Sequence, residues 1–240
     1  MPDIEYHSVQ SPHGREIAFA TRPDTADLSA VGATNTLWGF SGNEYLLRDH
    51  PPMTGWAFDV GAHIGSVAVA LAIDNPALNV VAVEALAENC DIIRATIDKN
   101  KLFNLEVVEA AATDKPRKSV KVAWNWKTAA NMEDPYVANN RFIGGMLPIG
   151  DGEYAKPPGV SLTSLMKERD IERVRFLKID CEGCEWQFLT SPDIGKVDEI
   201  IGEFHFAGRM EAIHDLLDAT HRVQYLGGED TIGLFWAHAL

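Results

Sequence analysis

The chain has 240 residues, 46% of them hydrophobic, which is enough to bury a sizeable core and is expected here to build one main domain. Its 21 Lys and Arg stand against 35 Asp and Glu, a net charge of −14; such a balance repels a phosphate backbone and argues against nucleic acid as partner. The start Met1-Pro2-Asp3-Ile4-Glu5-Tyr6 has neither a basic lead nor an apolar run. No stretch approaches the roughly 18 unbroken apolar residues of a membrane span, so a soluble, cytoplasmic protein with no membrane partner is expected.

In chain order, residues 4–22 suggest a hairpin around the turn cluster Ser11-Pro12-His13-Gly14, with Ile17-Ala18-Phe19 as a returning strand. Two weakly helical stretches follow at 24–31 and 43–49, separated by Gly32 and Gly39 and halted by Pro51-Pro52, so that residues 1–55 read as an N-terminal extension packed on the core. From Trp56 strands alternate with helices, the pattern of parallel strands joined by right-handed crossovers. Strands are expected at 56–60, 79–84 and 105–111, with helices at 65–73 and 87–99. In the second helix Leu86, Ile93 and Ile97 form an apolar stripe, with Glu88, Asp91, Arg94, Asp98 and Lys99 on other faces.

Between 115 and 158 the alternation breaks into a strand pair and a long loop, a lid-like insertion carrying Trp124, Trp126 and Tyr136. A helix at 161–170, a strand at 174–180, a helix at 184–189, a strand at 198–204 and a helix at 208–220 follow. The chain closes with strands 222–226 and 232–237 joined at a Gly227-Gly228 turn. The expected fold is therefore α/β: a doubly wound, mostly parallel sheet of seven strands over 56–240, ending in an antiparallel hairpin.

The run Phe58-Asp59-Val60-Gly61-Ala62-His63-Ile64-Gly65 is a strand that ends in an acid and turns through glycines into a helix, where the backbone can approach a ligand at the helix N-terminus. Glu84 ends the next strand, where an acid can bind ribose hydroxyls. The Gly-x-Gly-x-x-Gly of dinucleotide folds fails at His63 and Ser66, so a nicotinamide-dependent oxidoreductase is the second reading. His63 lies in the loop, where its ring either contacts a ligand or is exposed without a role. The remaining histidines, apart from His205, are scattered without ligand spacing.

In open parallel sheets ligands bind beyond the carboxyl ends of the strands, where strand order reverses. Strands 56–60 and 174–180 should flank that point, gathering Asp180, Glu182, Glu203 and His205 at the mouth of one cleft. Lys178, inside a strand, is expected to pair with a carboxylate, and Glu185 to favour a helix dipole. Cys181-Glu182-Gly183-Cys184 leaves only Cys90 as a further thiol, too few for a structural zinc, so reduced packing cysteines are expected.

Taken in order, Asp59-Val60-Gly61-Ala62-His63-Ile64-Gly65, Val83-Glu84, Glu109-Ala110-Ala111-Ala112-Thr113-Asp114, Leu177-Lys178-Ile179-Asp180-Cys181-Glu182-Gly183-Cys184-Glu185 and Glu203-Phe204-His205 resemble the FkbM-type methyltransferase family over about residues 56–206. The strand 174–180 motif discriminates, since the glycine loop is common to all methyltransferases of this class. His63 departs from the usual asparagine, Ala85 from the usual proline, and Cys181 and Cys184 from small aliphatic residues.

The resemblance implies a class I, Rossmann-like fold and methyl transfer from S-adenosylmethionine to a hydroxyl of a small molecule, sugar or natural product. It implies a cofactor site of Asp59, Gly61, Ala62, His63, Gly65, Glu84, Ala111, Ala112, Asp114 and Asp180, with Asp59 on the cofactor's ammonium or a water beside it. The small Ala111 and Ala112 leave room for adenine, and Asp114 accepts from its amine.

For the chemistry, His205 is the first choice of base, oriented by Glu203 or Asp180. The alternative is a divalent cation such as magnesium on Asp180 and Glu203, with or without Glu182. Trp38, Tyr45, Trp124, Trp126 and Tyr136 are candidates for an acceptor pocket, Trp124 or Trp126 before the others. A cofactor-binding module without turnover is the non-enzymatic alternative.

Overall fold

The computed structural model describes residues 3–23, 25, 27–28, 30–31, 43, 45–124, 153–205, 211–229 and 232–240. Strands β1 (Glu5–Gln10) and β2 (Glu16–Thr21) form the expected antiparallel hairpin. Of the two helical stretches expected before residue 55, the first is α-helical at its described residues Asp27, Leu28, Ala30 and Val31, and the second holds a 3-10 turn, Leu47–Asp49. Then come β3 (Gly55–Val60), α1 (Ser66–Asp74), β4 (Leu78–Glu84), α2 (Ala87–Asn100) and β5 (Leu105–Glu109). Here the chain leaves the expected strand 105–111: β5 stops at Glu109, Ala110 donates to the Glu84 carbonyl, and β6 (Ala111–Ala112) turns away.

Strands β7 (Val122–Trp124) and β8 (Glu153–Ala155) are the pair foreseen in the insertion, and β9 (Gly159–Val160) runs parallel to β6. Helix α3 (Leu162–Glu168) starts at a capping box, Ser161 and Ser164 each bonding the other's backbone N–H. The last part comprises β10 (Phe176–Ile179), α4 (Glu185–Phe188), β11 (Glu199–His205), α5 (Glu211–Leu217), β12 (His221–Glu229) and β13 (Ile232–Ala239).

Seven strands make one sheet in the order β12-β13-β11-β10-β3-β4-β5, with β13 antiparallel to both β11 and β12 and the remaining pairs parallel. Chain order reverses between β3 and β10, so the crevice for a ligand opens there. The hairpin of β12 and β13 departs from expectation. Gly227 and Gly228 lie within β12, next to a register shift between Tyr225 and Gly227, because Gly228 backs onto Gly233 so closely that a Cβ would come within 2.4 Å of its Cα.

Both faces of the sheet are buried, which is why β3 and β4 read as unbroken apolar runs. Ala57, Val80 and Ala82 face a layer made by α1, α2 and the N-terminal hairpin, while Phe58, Val60, Val81 and Val83 face one made by α3, α4 and α5. Every residue of α1 from Ser66 to Ala72 is buried, in one cluster with Ile17, Phe19, Ala20, Tyr45, Leu47 and Met53 of the N-terminal segment, whose strand β2 lies along α2. Polar contacts fix the hairpin: Ser11 Oγ donates to Asp74 at 2.5 Å, Arg15 to the Ile73 carbonyl at 2.8 Å, and Ala20 N to Thr96 Oγ1 at 3.0 Å. No helix among the described residues is long and apolar enough to cross a membrane.

Candidate functional site

The loop after β3 is held from beneath. The Asp59 carboxyl is fully buried; Oδ2 accepts from Ala68 N at 2.9 Å in the first turn of α1, and Oδ1 lies 3.2 Å from Lys178 Nζ. Burial raises its pKa, against the pull of Lys178 and Ala68. Lys178, itself buried, also donates to the Gly61 carbonyl at 2.9 Å, so the lysine finds the carboxylate expected for it and ties the loop down as well. Gly61 has φ 74°, and a Cβ there would stand 1.8 Å from the Asp180 carbonyl oxygen; only glycine lets the ends of β3 and β10 come this close.

Gly61 N and Ala62 N donate to the Val83 carbonyl, and Gly65 N closes the turn onto Ala62. His63, at φ 52°, donates its backbone N–H to Glu84 Oε2 at 2.9 Å. Its ring Nε2 is buried and has no hydrogen-bond partner among the described residues. Burial lowers its pKa to about 4, so the ring is neutral at pH 7. Glu84 accepts at Oε1 from Leu86 N (2.9 Å) and Asn89 Nδ2 (3.2 Å), and burial pushes its carboxyl up to about 7 against these bonds. Ala111 and Ala112 are buried, but Asp114 sits at the surface beside the Arg117 guanidinium at 2.5 Å, which holds its carboxyl below the usual range.

Beyond the carboxyl ends of β10 and β11 four carboxylates surround one imidazole. His205 is 3% exposed, with Nδ1 3.1 Å from Glu185 Oε1 and Nε2 3.6 Å from Glu182, 3.8 Å from Glu203 and 4.0 Å from Asp180. Burial by itself would lower the histidine's pKa, but the Glu185 bond and the charges of Glu182 and Asp180 outweigh it and raise it to about 9. The ring therefore carries its proton at neutral pH. Burial also pushes Glu182 up to about 7, opposed by His205. Asp180 Oδ2 accepts from the Tyr45 hydroxyl at 2.7 Å, and the Tyr45 ring centroid lies 5.2 Å from Lys178 Nζ. Asp180, Glu203 and His205 each offer one ligand atom, all within 4.8 Å of one another, a spacing open to a divalent cation.

Two features differ from the sequence reading. Glu185 orients His205, where Glu203 or Asp180 was expected, and its fully buried carboxylate also accepts from Cys181 N and Gly183 N, each at 2.9 Å. The signal was its position in the motif Asp180-Cys181-Glu182-Gly183-Cys184-Glu185, one residue inside a helix too short for a dipole to matter much. Second, Cys181 and Cys184 form a disulfide in place of two reduced thiols. Glu182 and Gly183 are both left-handed, φ 54° and 104°, and this tight turn brings the two Cα atoms to 5.4 Å, within bonding reach. Cys90 is the free, buried cysteine. Trp38, Trp126 and Tyr136 lie outside the described residues, as does the side chain of Trp124.

A doubly wound sheet in this strand order, with its crevice between β3 and β10, is the class I methyltransferase fold. The model of the FkbM methyltransferase domain matches residues 59–226, and the chain belongs to that family. The nicotinamide-dependent alternative does not stand beside this match.

Among solved structures, the T. thermophilus 16S rRNA N2 G1207 methyltransferase in complex with AdoMet and guanosine is 11% identical, with TM-score 0.53 over 100% of this chain and 52% of that one. The precorrin-6Y C5,15-methyltransferase of Geobacter metallireducens is 13% identical, with TM-score 0.41 over 80% and 83%. At 11% identity the likeness to the first of these is one of fold. No curated protein matches the chain.

Proposed function

We propose that this protein transfers the methyl group of S-adenosylmethionine to a hydroxyl oxygen of a small molecule, a sugar or natural product. The observation that carries the reading is the acid-base cluster around His205 beside the glycine loop. A neutral amine attacks with a free lone pair, whereas a hydroxyl must lose a proton as it attacks, and a cluster of proton-accepting groups serves the second need. The net charge of −14 supports a small acceptor over a polynucleotide.

The loop suits the cofactor. Its backbone is kept bare by Gly61, its His63 Nε2 is buried without a partner among the described residues, and Glu84 Oε2, which accepts from His63 N, has a second lone pair to offer a ribose hydroxyl. Asp59, wholly buried, serves by holding the loop and the first turn of α1. Ala111 and Ala112 leave space for the adenine ring, whereas the surface position of Asp114 weakens its case for the exocyclic amine.

S-adenosylmethionine supplies an electrophilic methyl group on a sulfonium. The chain's own task is to orient the hydroxyl, exclude water and take the proton; orientation alone can be worth roughly 7 to 11 kcal/mol. His205, the base expected from the sequence, already holds a proton in its ring of carboxylates, so the accepting atom in this reading is a Glu182 oxygen, whose pKa of about 7 matches neutral pH. The His205 imidazolium then holds Glu182, Glu203 and Asp180 in place while Glu185 fixes its ring. A second reading, favoured by the 4.8 Å grouping of Asp180, Glu203 and His205, puts a divalent cation such as magnesium there to polarise the hydroxyl.

Calorimetry with S-adenosylmethionine and transfer of a labelled methyl group to a panel of hydroxylated acceptors test the proposal. Binding and hydroxyl methylation are expected, with turnover falling about 100-fold or more in Glu182→Gln. Binding with no turnover on any acceptor would leave a non-catalytic module. Methylation of nitrogen or carbon acceptors in preference to hydroxyls would overturn the acceptor class, and a strict requirement for added magnesium would favour the second reading.

A further inference from the structure

A buried line of polar side chains connects the N-terminal segment to the acid that ends β4. Arg22, directly after β2, is 5% exposed, Asp27 and Asn89 1% each, and Glu84 6%. Arg22 donates from Nε and Nη2 to the two oxygens of Asp27 at 2.8 and 2.9 Å, and from Nη2 to Asn89 Oδ1 at 2.9 Å. Asn89 in turn donates from Nδ2 to Glu84 Oε1 at 3.2 Å.

A guanidinium has donors only and keeps its proton, so the asparagine must turn its amide oxygen toward Arg22 and its NH2 toward Glu84. With Leu86 N as second donor, Glu84 Oε1 is then fully used, and the acceptor capacity left on the carboxylate is on Oε2, the oxygen that bonds the cofactor loop through His63 N. Asp27 balances the Arg22 charge, so the pair passes on direction without adding net charge beside a cationic ligand.

We propose that Arg22 and Asn89 are positioning residues for S-adenosylmethionine, fixing the Glu84 carboxylate in the pose that receives the ribose hydroxyls. The segment before residue 55 is thereby a working part of the cofactor site. This inference rests on the cofactor reading above.

The test is calorimetric titration of the full chain with S-adenosylmethionine, using Asn89→Ala and Arg22→Lys alone and in a Glu84→Ala background, with thermal melts alongside. Asn89→Ala is expected to weaken binding about tenfold or more, the scale of a hydrogen bond to a charged group, and Arg22→Lys to weaken it in the same direction. In the Glu84→Ala background neither change should weaken binding further. A purely structural role would lower the melting temperature and leave the dissociation constant unmoved. Unchanged affinity in both single variants, or an equal loss with and without the Glu84 carboxylate, would overturn the inference while leaving the cofactor reading intact. If Asn89→Ala does not fold, Arg22→Lys decides by the same criterion. If the unaltered chain does not bind S-adenosylmethionine, the cofactor reading itself fails and this inference with it.

Discussion

Replacing Gly61 by alanine puts a methyl group where the Asp180 carbonyl already is. The added Cβ would stand 1.8 Å from that oxygen and 2.6 Å from its carbon, both backbone atoms, at a residue with φ 74°. Neither strand end can retreat freely, because Asp180 N donates to the Val60 carbonyl at 3.0 Å and Lys178 holds the Gly61 carbonyl. The left-handed backbone costs a non-glycine residue roughly 1 to 2 kcal/mol, and forcing a group into a packed site roughly 1 to 3 kcal/mol or more, a sum of about 2 to 5 kcal/mol. For a chain of this size each kcal/mol moves the melting temperature by about 2 to 4 °C, so a fall of roughly 5 to 20 °C is expected. Gly14→Ala is the control: φ is 79°, but nothing lies within 4 Å of its Cβ, so only the backbone cost applies. Circular dichroism melts of the two variants should differ by at least a factor of two in the size of the drop. Equal drops would refute the view that the approach of β3 to β10 dictates glycine at this position.

Stability should decline as pH rises. Glu84 and Glu182, raised from 4.5 to about 7, favour the fold fully below about pH 4.5 and lose that contribution through about 7; His205, raised from 6.5 to about 9, loses its share between those two values. Urea midpoints followed from about pH 5 to 9.5 should therefore fall, with the upper part of the fall abolished in His205→Gln; a flat profile above pH 7 in the unaltered protein would contradict the assignment. Lys178→Met leaves the Asp59 carboxylate buried without its cation and should cost about 3 to 5 kcal/mol, much of it regained on adding Asp59→Asn; denaturant unfolding that finds the double variant no better than the single one would refute the pairing. Alkylation of the denatured protein should add one group without reductant, on Cys90, and three after reduction, read by intact mass; three groups in the first case would remove the Cys181–Cys184 bond.

Where burial is two-sided, the sequence was easy to read: 56–60 and 79–84 stand as β3 and β4 with one extra residue at the start of each. The α2 stripe was equally clear, since Ile93 is buried while Glu88, Asp91 and Arg94 are exposed. Gly61 and Asp59, which shape the loop after β3, were marked by position alone. What stayed hidden depends on contacts far apart in the chain. Ala111 and Ala112 leave the sheet because Gly159 and Val160 offer them a different partner, and in Gly227-Gly228, which looks like a turn, Gly228 serves a close strand approach. The Cys181 to Cys184 bond follows from two consecutive left-handed residues, one of them a glutamate, a conformation that residue type does not announce. The protonation of His205 required knowing that Glu185, distant by twenty positions in order, ends up under its Nδ1.

The burial of α1 on all sides bears on where the folding unit starts. The family match begins at residue 59, yet Ile17, Phe19, Ala20, Tyr45, Leu47 and Met53 share one buried cluster with this helix, and Ser11 and Arg15 bond its last turn. A protein trimmed to the matched stretch would present a greasy, alanine- and valine-rich cylinder to water, and its natural remedy would be to clump with its neighbours. Anyone grafting this catalytic module onto another chain should carry the leading hairpin along with it.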